Sequence, residues 1–171
     1  MKRCLAVVCA FVVLIAPACG RSDEPESPQL ELPPGSPDFG SGRALIDPAD
    51  PEADSVLLDV EIAQTDEQRA FGLMERKSLP EDRGMIFLFF EEHSGGFWMK
   101  DTLIPLSIAF FDIDGTIVRI LDMDPCRADP CRVYDPGTAY HGALEVNQGA
   151  FDGWGVREGD HVEVTQTDPT Q

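Results

Sequence analysis

The sequence predicts a mainly β protein: one compact antiparallel barrel- or sandwich-like domain with one short helix, preceded by a signal peptide and a disordered tether. Three observations lead there. A short apolar run follows a basic start, a proline-rich acidic stretch follows that run, and the remaining chain is a series of short β-rich segments separated by turn residues.

Lys2 and Arg3 precede an unbroken apolar run from Cys4 to Ile15, and Ala16-Pro17-Ala18-Cys19 comes next. About twelve apolar residues are too few for a bilayer-spanning helix but suit a secretory signal. Ala-x-Ala before Cys19 is also a close variant of a bacterial lipobox, with Ala16 where a larger aliphatic residue is usual. Both readings cut after Ala18, so residues 1–18 are assigned to the signal and Cys19 to lipidation. Cys4 and Cys9 leave with the signal. If Cys19 carries lipid, Cys126 and Cys131 remain free to pair.

Residues 19–54 hold Pro25, Pro28, Pro33, Pro34, Pro37, Pro48 and Pro51 among acids and small residues, with no apolar period. Such a segment buries too little to offset its ordering entropy and reads as a disordered tether. As a flexible coil it would span on the order of 30–35 Å.

Residues 55–166 form the expected single domain, and 167–171 a polar tail. Val56, Leu58, Val60 and Ile62 alternate with Leu57, Asp59, Glu61 and Ala63, the period of a half-buried strand. Thr65 and Gln68 form a capping-box pattern that starts a short helix carrying Ala70, Phe71, Leu73 and Met74. Lys77 to Arg83 reads as loop. Gly84 to Phe90 is a strand buried on both faces, and Phe97 to Met99 another. Leu106 to Ile113 and Thr116 to Leu121 flank Asp114-Gly115, a hairpin signal of the type I′ kind. A loop from Asp124 to about Tyr140 contains both remaining cysteines. Ala143 to Val146 is a short strand, a Gly-rich stretch holds Phe151 and Trp154, and His161 to Thr165 closes the domain.

Composition removes some functions. The formal charge is −18, and residues 55–171 alone hold nine Lys or Arg against 22 Asp or Glu, a net −13. That surface repels nucleic acid and anionic headgroups, so neither is an expected partner. Phe110-Phe111-Asp112-Ile113-Asp114-Gly115-Thr116 resembles the nucleophile motif of haloacid-dehalogenase phosphatases. That chemistry needs a doubly wound α/β domain and a later lysine, and none of the 55 residues after Thr116 is lysine. Asp112 and Asp114 therefore read as turn residues.

The order of motifs along the domain, recognisable at Trp98, resembles the domain of unknown function 192 family of small bacterial and archaeal proteins. The residues that carry the likeness are Arg69-Ala70-Phe71-Gly72-Leu73-Met74, Gly84-Met85-Ile86-Phe87, Phe97-Trp98-Met99-Lys100-Asp101-Thr102, Ile104-Pro105-Leu106, Pro125-Cys126 with Cys131, Ala143-Leu144-Glu145 and Gly159-Asp160. The family form has Asn where this chain has Asp101. The resemblance implies a compact β-rich fold, often exported, and no particular activity.

Cys126 and Cys131 bracket Arg127-Ala128-Asp129-Pro130, and in an oxidising compartment such a pair is expected as a disulfide. Met74, Met85, Met99 and Met123 with His93, His141 and the cysteines are residues a soft metal such as copper would use, but no two of them show a tight ligand spacing, and Met also fills irregular core gaps. No metal and no cofactor is assigned. The stretch Trp98, Lys100, Asp101 and Thr102, joined by Arg69 from the helix, sets an aromatic ring, a cation, a carboxylate and a hydroxyl close together as a candidate ligand-binding surface. The expected function is a lipid-anchored periplasmic binding or accessory module, held to the membrane through its lipid alone and taking a small-molecule or protein ligand. Gly20 after Cys19, with no Asp there, favours the outer membrane. The alternatives are an enzyme with a polar site around Lys100, Asp101 and an Arg or Glu145, and a copper-handling protein.

Overall fold

The computed structural model describes residues 32–167. The expected signal, Cys19 and the last residues of the tail lie outside them. Nine strands and two short helices run in the order β1 (Gly40–Asp47), β2 (Val56–Ala63), α1 (Asp66–Phe71), β3 (Arg83–His93), β4 (Phe97–Trp98), β5 (Leu106–Phe111), β6 (Ile117–Met123), β7 (Val133–Tyr134), β8 (Tyr140–Asn147), α2 (Ala150–Trp154) and β9 (His161–Thr167). The protein is mainly β, as its alternating segments require.

Seven strands form one sheet in the order β6-β5-β8-β3-β2-β1-β9, and β4 pairs with β7 as a separate ribbon. The large sheet curls until Thr116 bridges His161, where Ile117 N–H donates to Asp160 O and Val162 N–H to Gly115 O. Beyond that point β6 and β9 diverge, so the sheet is open and sandwich-like.

Each face of the sheet buries its own cluster. On one face Ile46, Leu58, Val60, Ile62, Ile86 and Leu144 pack together under Phe151 of α2. On the other, Met85, Phe87, Ile108, Phe110 and Ala143 are covered by Leu73, Leu79, Met99 and Tyr134 from the connections. This explains why β3 reads as an unbroken apolar run: Gly84 to Phe87 are buried on both faces.

Four expectations are corrected. Residues 40–47, read as tether, are β1, paired with both β2 and β9. Ala44 and Ile46 are fully buried there, and ladder bonds on both sides offset the ordering cost that proline-rich composition suggests. A second helix, α2, occupies the Gly-rich stretch because Gly149 and Gly155 supply its left-handed ends. The sheet is not wholly antiparallel. The crossover through α1 returns the chain so that β3 runs parallel to β2. Finally, the β5–β6 connection is not a two-residue type I′ turn. Asp112 Oδ1 accepts the Asp114 and Thr116 N–H groups, Asp112 N–H donates to Thr116 O, and only Gly115 has a positive φ. Asp112 thus organises a wider loop, and the carboxylates sit in no α/β setting.

Candidate functional site

α1 begins with the expected capping box: the Thr65 hydroxyl accepts the Gln68 N–H while the Gln68 side chain accepts the Thr65 N–H. Gln68 also donates to Asp38 O at 2.6 Å, which ties the incoming chain to the helix. Arg69, in the last turn, reaches from α1 to the sheet. Its guanidinium donates to Leu88 O at 2.9 Å and to Gln64 O, pairs with Asp66, and lies 5.0 Å from the Phe89 ring centroid.

Across from it, β4 is set from below. The Tyr140 hydroxyl donates to Gly95 O at 3.1 Å, and burial raises its pKa, with the Asp135 charge adding to the effect. The Phe97 ring packs edge-on against Phe87 at 5.0 Å and Phe110 at 5.6 Å. Alternation then turns Trp98 outward, 51% exposed, with Lys100 Nζ 5.8 Å from its ring centroid, while Met99 is buried. Asp101 takes φ +53°, and its carbonyl accepts the N–H of Glu75, itself at φ +59°. The turn folds Thr102 inward, where its hydroxyl donates to Lys100 O at 3.3 Å.

Between α1 and β4 lies a narrow cleft of about 30 Å³, lined by Arg69, Phe87, Phe97, Trp98, Thr102 and Glu145. Glu145 comes from β8, flanked by Met85 on β3 and Ile108 on β5. It is 5% exposed, and burial alone pushes its carboxyl up to about 8. Among the described residues its carboxylate has neither a hydrogen-bond donor nor an ion-pair partner, and Arg69 is spent on other acceptors. The other deeply buried acid differs: Asp160 accepts the N–H groups of Ala49 and Arg157. Buried Arg76 is compensated in charge, its Nη1 lying 2.6 Å from Glu61 Oε2, although none of its guanidinium nitrogens makes a hydrogen bond among the described residues.

The five candidate surface residues therefore divide. Arg69, Trp98 and Thr102 line the cleft with Glu145, whereas Lys100 and Asp101 line a neighbouring 190 Å³ hollow beside the Cys126–Cys131 disulfide. Glu145 appeared in the sequence only as part of a motif and as a partner in the enzyme alternative. Its signal was a lone acid inside the apolar run Ala143-Leu144-Glu145-Val146. The soft-metal residues do not converge: Met85, Met99 and Met123 belong to the core, and His93 stacks on Phe89 at 4.3 Å. Ligand atoms of Cys126, Asp129 and Cys131 do lie within 4.8 Å of one another, but the two sulfurs are bonded to each other. A broader hollow of about 390 Å³ opens near the β5–β6 loop, with exposed Asp114, His161 and Glu163 at its rim.

This fold and these motifs define a small β-rich domain of one recognisable family. The chain belongs to the DUF192 family, described as Uncharacterized ACR, COG1430, which matches residues 49–164. No curated protein matches it. Among solved structures it is similar to a Sinorhizobium meliloti protein provisionally assigned as a transcription regulator, with 32% identity and a TM-score of 0.69 over 76% of this chain and 98% of that one. It is also similar to a Novosphingobium aromaticivorans protein of unknown function, with 29% identity and a TM-score of 0.63 over 71% of this chain and 83% of that one.

Proposed function

We propose that the chain is an exported binding module that captures a small polar group in the cleft between α1 and β4. Lipidated Cys19 holds it at the periplasmic face of a membrane, the outer membrane by preference. The observation that carries the site is Glu145. An acid enclosed without a partner costs several kcal/mol, and a packing role would be served without that cost by Leu. A ligand that supplies the missing donors removes the penalty. Trp98 at the mouth and Thr102 on the wall give such a ligand an aromatic surface and a hydroxyl. The signal-like start and the lipobox-like Ala16-Pro17-Ala18-Cys19 support the address. A transcription-regulating role through direct DNA contact is disfavoured by the domain's net charge of −13.

A screen of small polar fragments by heteronuclear NMR on the mature chain tests the site. The expected hits shift the Trp98, Thr102 and Glu145 resonances together, and Glu145→Gln weakens them at least tenfold. Hits confined to the 390 Å³ hollow at the β5–β6 loop would overturn it.

A further inference from the structure

We propose that the cleft takes a primary ammonium group, with Glu145 as its counter-ion, a proposal that rests on the reading of the cleft as a ligand site. Size is the first argument. With about 30 Å³ of room the cleft holds one or two water-sized groups, so a terminal –NH3+ fits while a bulky group does not enter whole. An ammonium buries only that end, and the rest of its molecule remains outside along Trp98.

The walls select for positive charge. Phe87, Phe97 and Trp98 line the cleft, and Lys100 Nζ already lies 5.8 Å from the Trp98 ring centroid, the approach a ligand cation would make. The Glu145 carboxylate and the Thr102 hydroxyl oxygen are acceptors, and an ammonium carries three donors to meet them. The one cation on the lining, Arg69, is balanced by Asp66 and held by the carbonyls of Gln64 and Leu88, so it does not serve as the counter-ion of Glu145. An anion would meet Glu145 unfavourably, and an alcohol has no use for its charge.

The charges balance through one proton. In the empty cleft burial holds Glu145 protonated at neutral pH. Entry of R–NH3+ ionises the carboxyl, forms the ion pair and releases that proton to solvent. Few other groups bear on this titration. Met85 and Ile108 flank Glu145 from β3 and β5 and do not titrate. α1 contributes Arg69 with its partner Asp66, and β4 leads to Lys100, whose Nζ lies over the Trp98 ring. Affinity for an amine accordingly rises about tenfold per pH unit up to roughly pH 8.

Ethylammonium, ethanol and acetate, each titrated against the mature chain by NMR, separate the outcomes. Ethylammonium is expected to saturate the Trp98 indole and Thr102 amide shifts, on the order of fiftyfold more tightly at pH 8 than at pH 6. Glu145→Gln should lose that binding and its pH dependence while keeping a folded spectrum. Should that variant not fold, the wild-type pH profile decides alone, and a flat profile overturns the counter-ion role. Saturation of the same resonances by ethanol or acetate but not by ethylammonium would overturn the ammonium assignment and leave the cleft as a binding site. If none of the three reaches those resonances, the cleft reading falls as well.

Discussion

Glu145 couples the candidate site to the stability of the whole domain. Burial penalises the charged form and pushes its folded-state carboxyl up to about 8, from an ordinary 4.5. Between those two values the folded chain holds a proton that the unfolded chain has released. Stability from this group is therefore fully present below about pH 4.5 and is lost as pH rises through 8, by an amount on the order of 4–5 kcal/mol. Glu145→Gln keeps the shape and removes the titration. We expect the variant to melt above wild type at pH 8.5, with the gap closing towards pH 5. Parallel melting curves across that range would show that Glu145 is not the buried, unpaired acid described. At the same scale, Asp101 explains a departure from the family pattern. Its φ of +53° is a conformation that Asn and Asp tolerate better than other side chains, so the turn, rather than an amide contact, accounts for either residue.

The elements that frame the cleft are held by specific features rather than by length. β4 has only two residues, Phe97 pairing with Tyr134 and Trp98 with Val133. That pairing demands glycine just before it, since a Cβ on Gly96 would lie 2.5 Å from Tyr134 O and 2.7 Å from Tyr134 C. Gly96→Ala should pry β4 from β7, cost about 1–3 kcal/mol, and free the Trp98 ring, read as a red-shifted, more quenchable fluorescence. Unchanged melting and fluorescence would show that the ribbon does not position Trp98. The Cys126–Cys131 bridge closes a small loop beside the ribbon, its sequence separation being five, and contributes about 2 kcal/mol by chain entropy. Reduction should lower the melting point modestly and leave the β-sheet circular dichroism intact. Complete unfolding on reduction would assign the disulfide a larger role. What the sequence made legible follows the same division. The capping box at Thr65 and the alternation of β2 are local and readable without a fold. β1 was hidden because its apolar run is short, Ala44-Leu45-Ile46 between Gly42-Arg43 and Asp47-Pro48, and its worth comes from pairing with β2 and β9, which no local window contains. The cleft was legible only in part. Trp98, Thr102 and Arg69 stood out as polar and aromatic neighbours, but Glu145 reaches them from a strand far along the chain, across a sheet order set by tertiary packing.

Anchoring is a property of the whole molecule, because it decides where the cleft can meet a ligand. Among the described residues no helix is long and apolar enough to cross a membrane. The domain is also acidic, so the anionic headgroups of a bilayer repel it and bring no adsorption of their own. The hold on a membrane proposed above is the lipid on Cys19, outside the described residues. A single acyl chain gives only marginal binding, whereas the several chains of a bacterial lipoprotein's modified cysteine suffice for stable attachment. Since β1 starts at Gly40, about 20 residues separate Cys19 from the sheet, fewer than the tether expected from composition. In a bacterial host, wild type should incorporate labelled palmitate and sediment with membranes, and Cys19→Ser should do neither while the released domain keeps its melting temperature. Wild type that takes up no label and fractionates as soluble would refute the anchor without touching the cleft, because Glu145, Arg69, Trp98 and Thr102 are positioned entirely by the sheet and its covering layer.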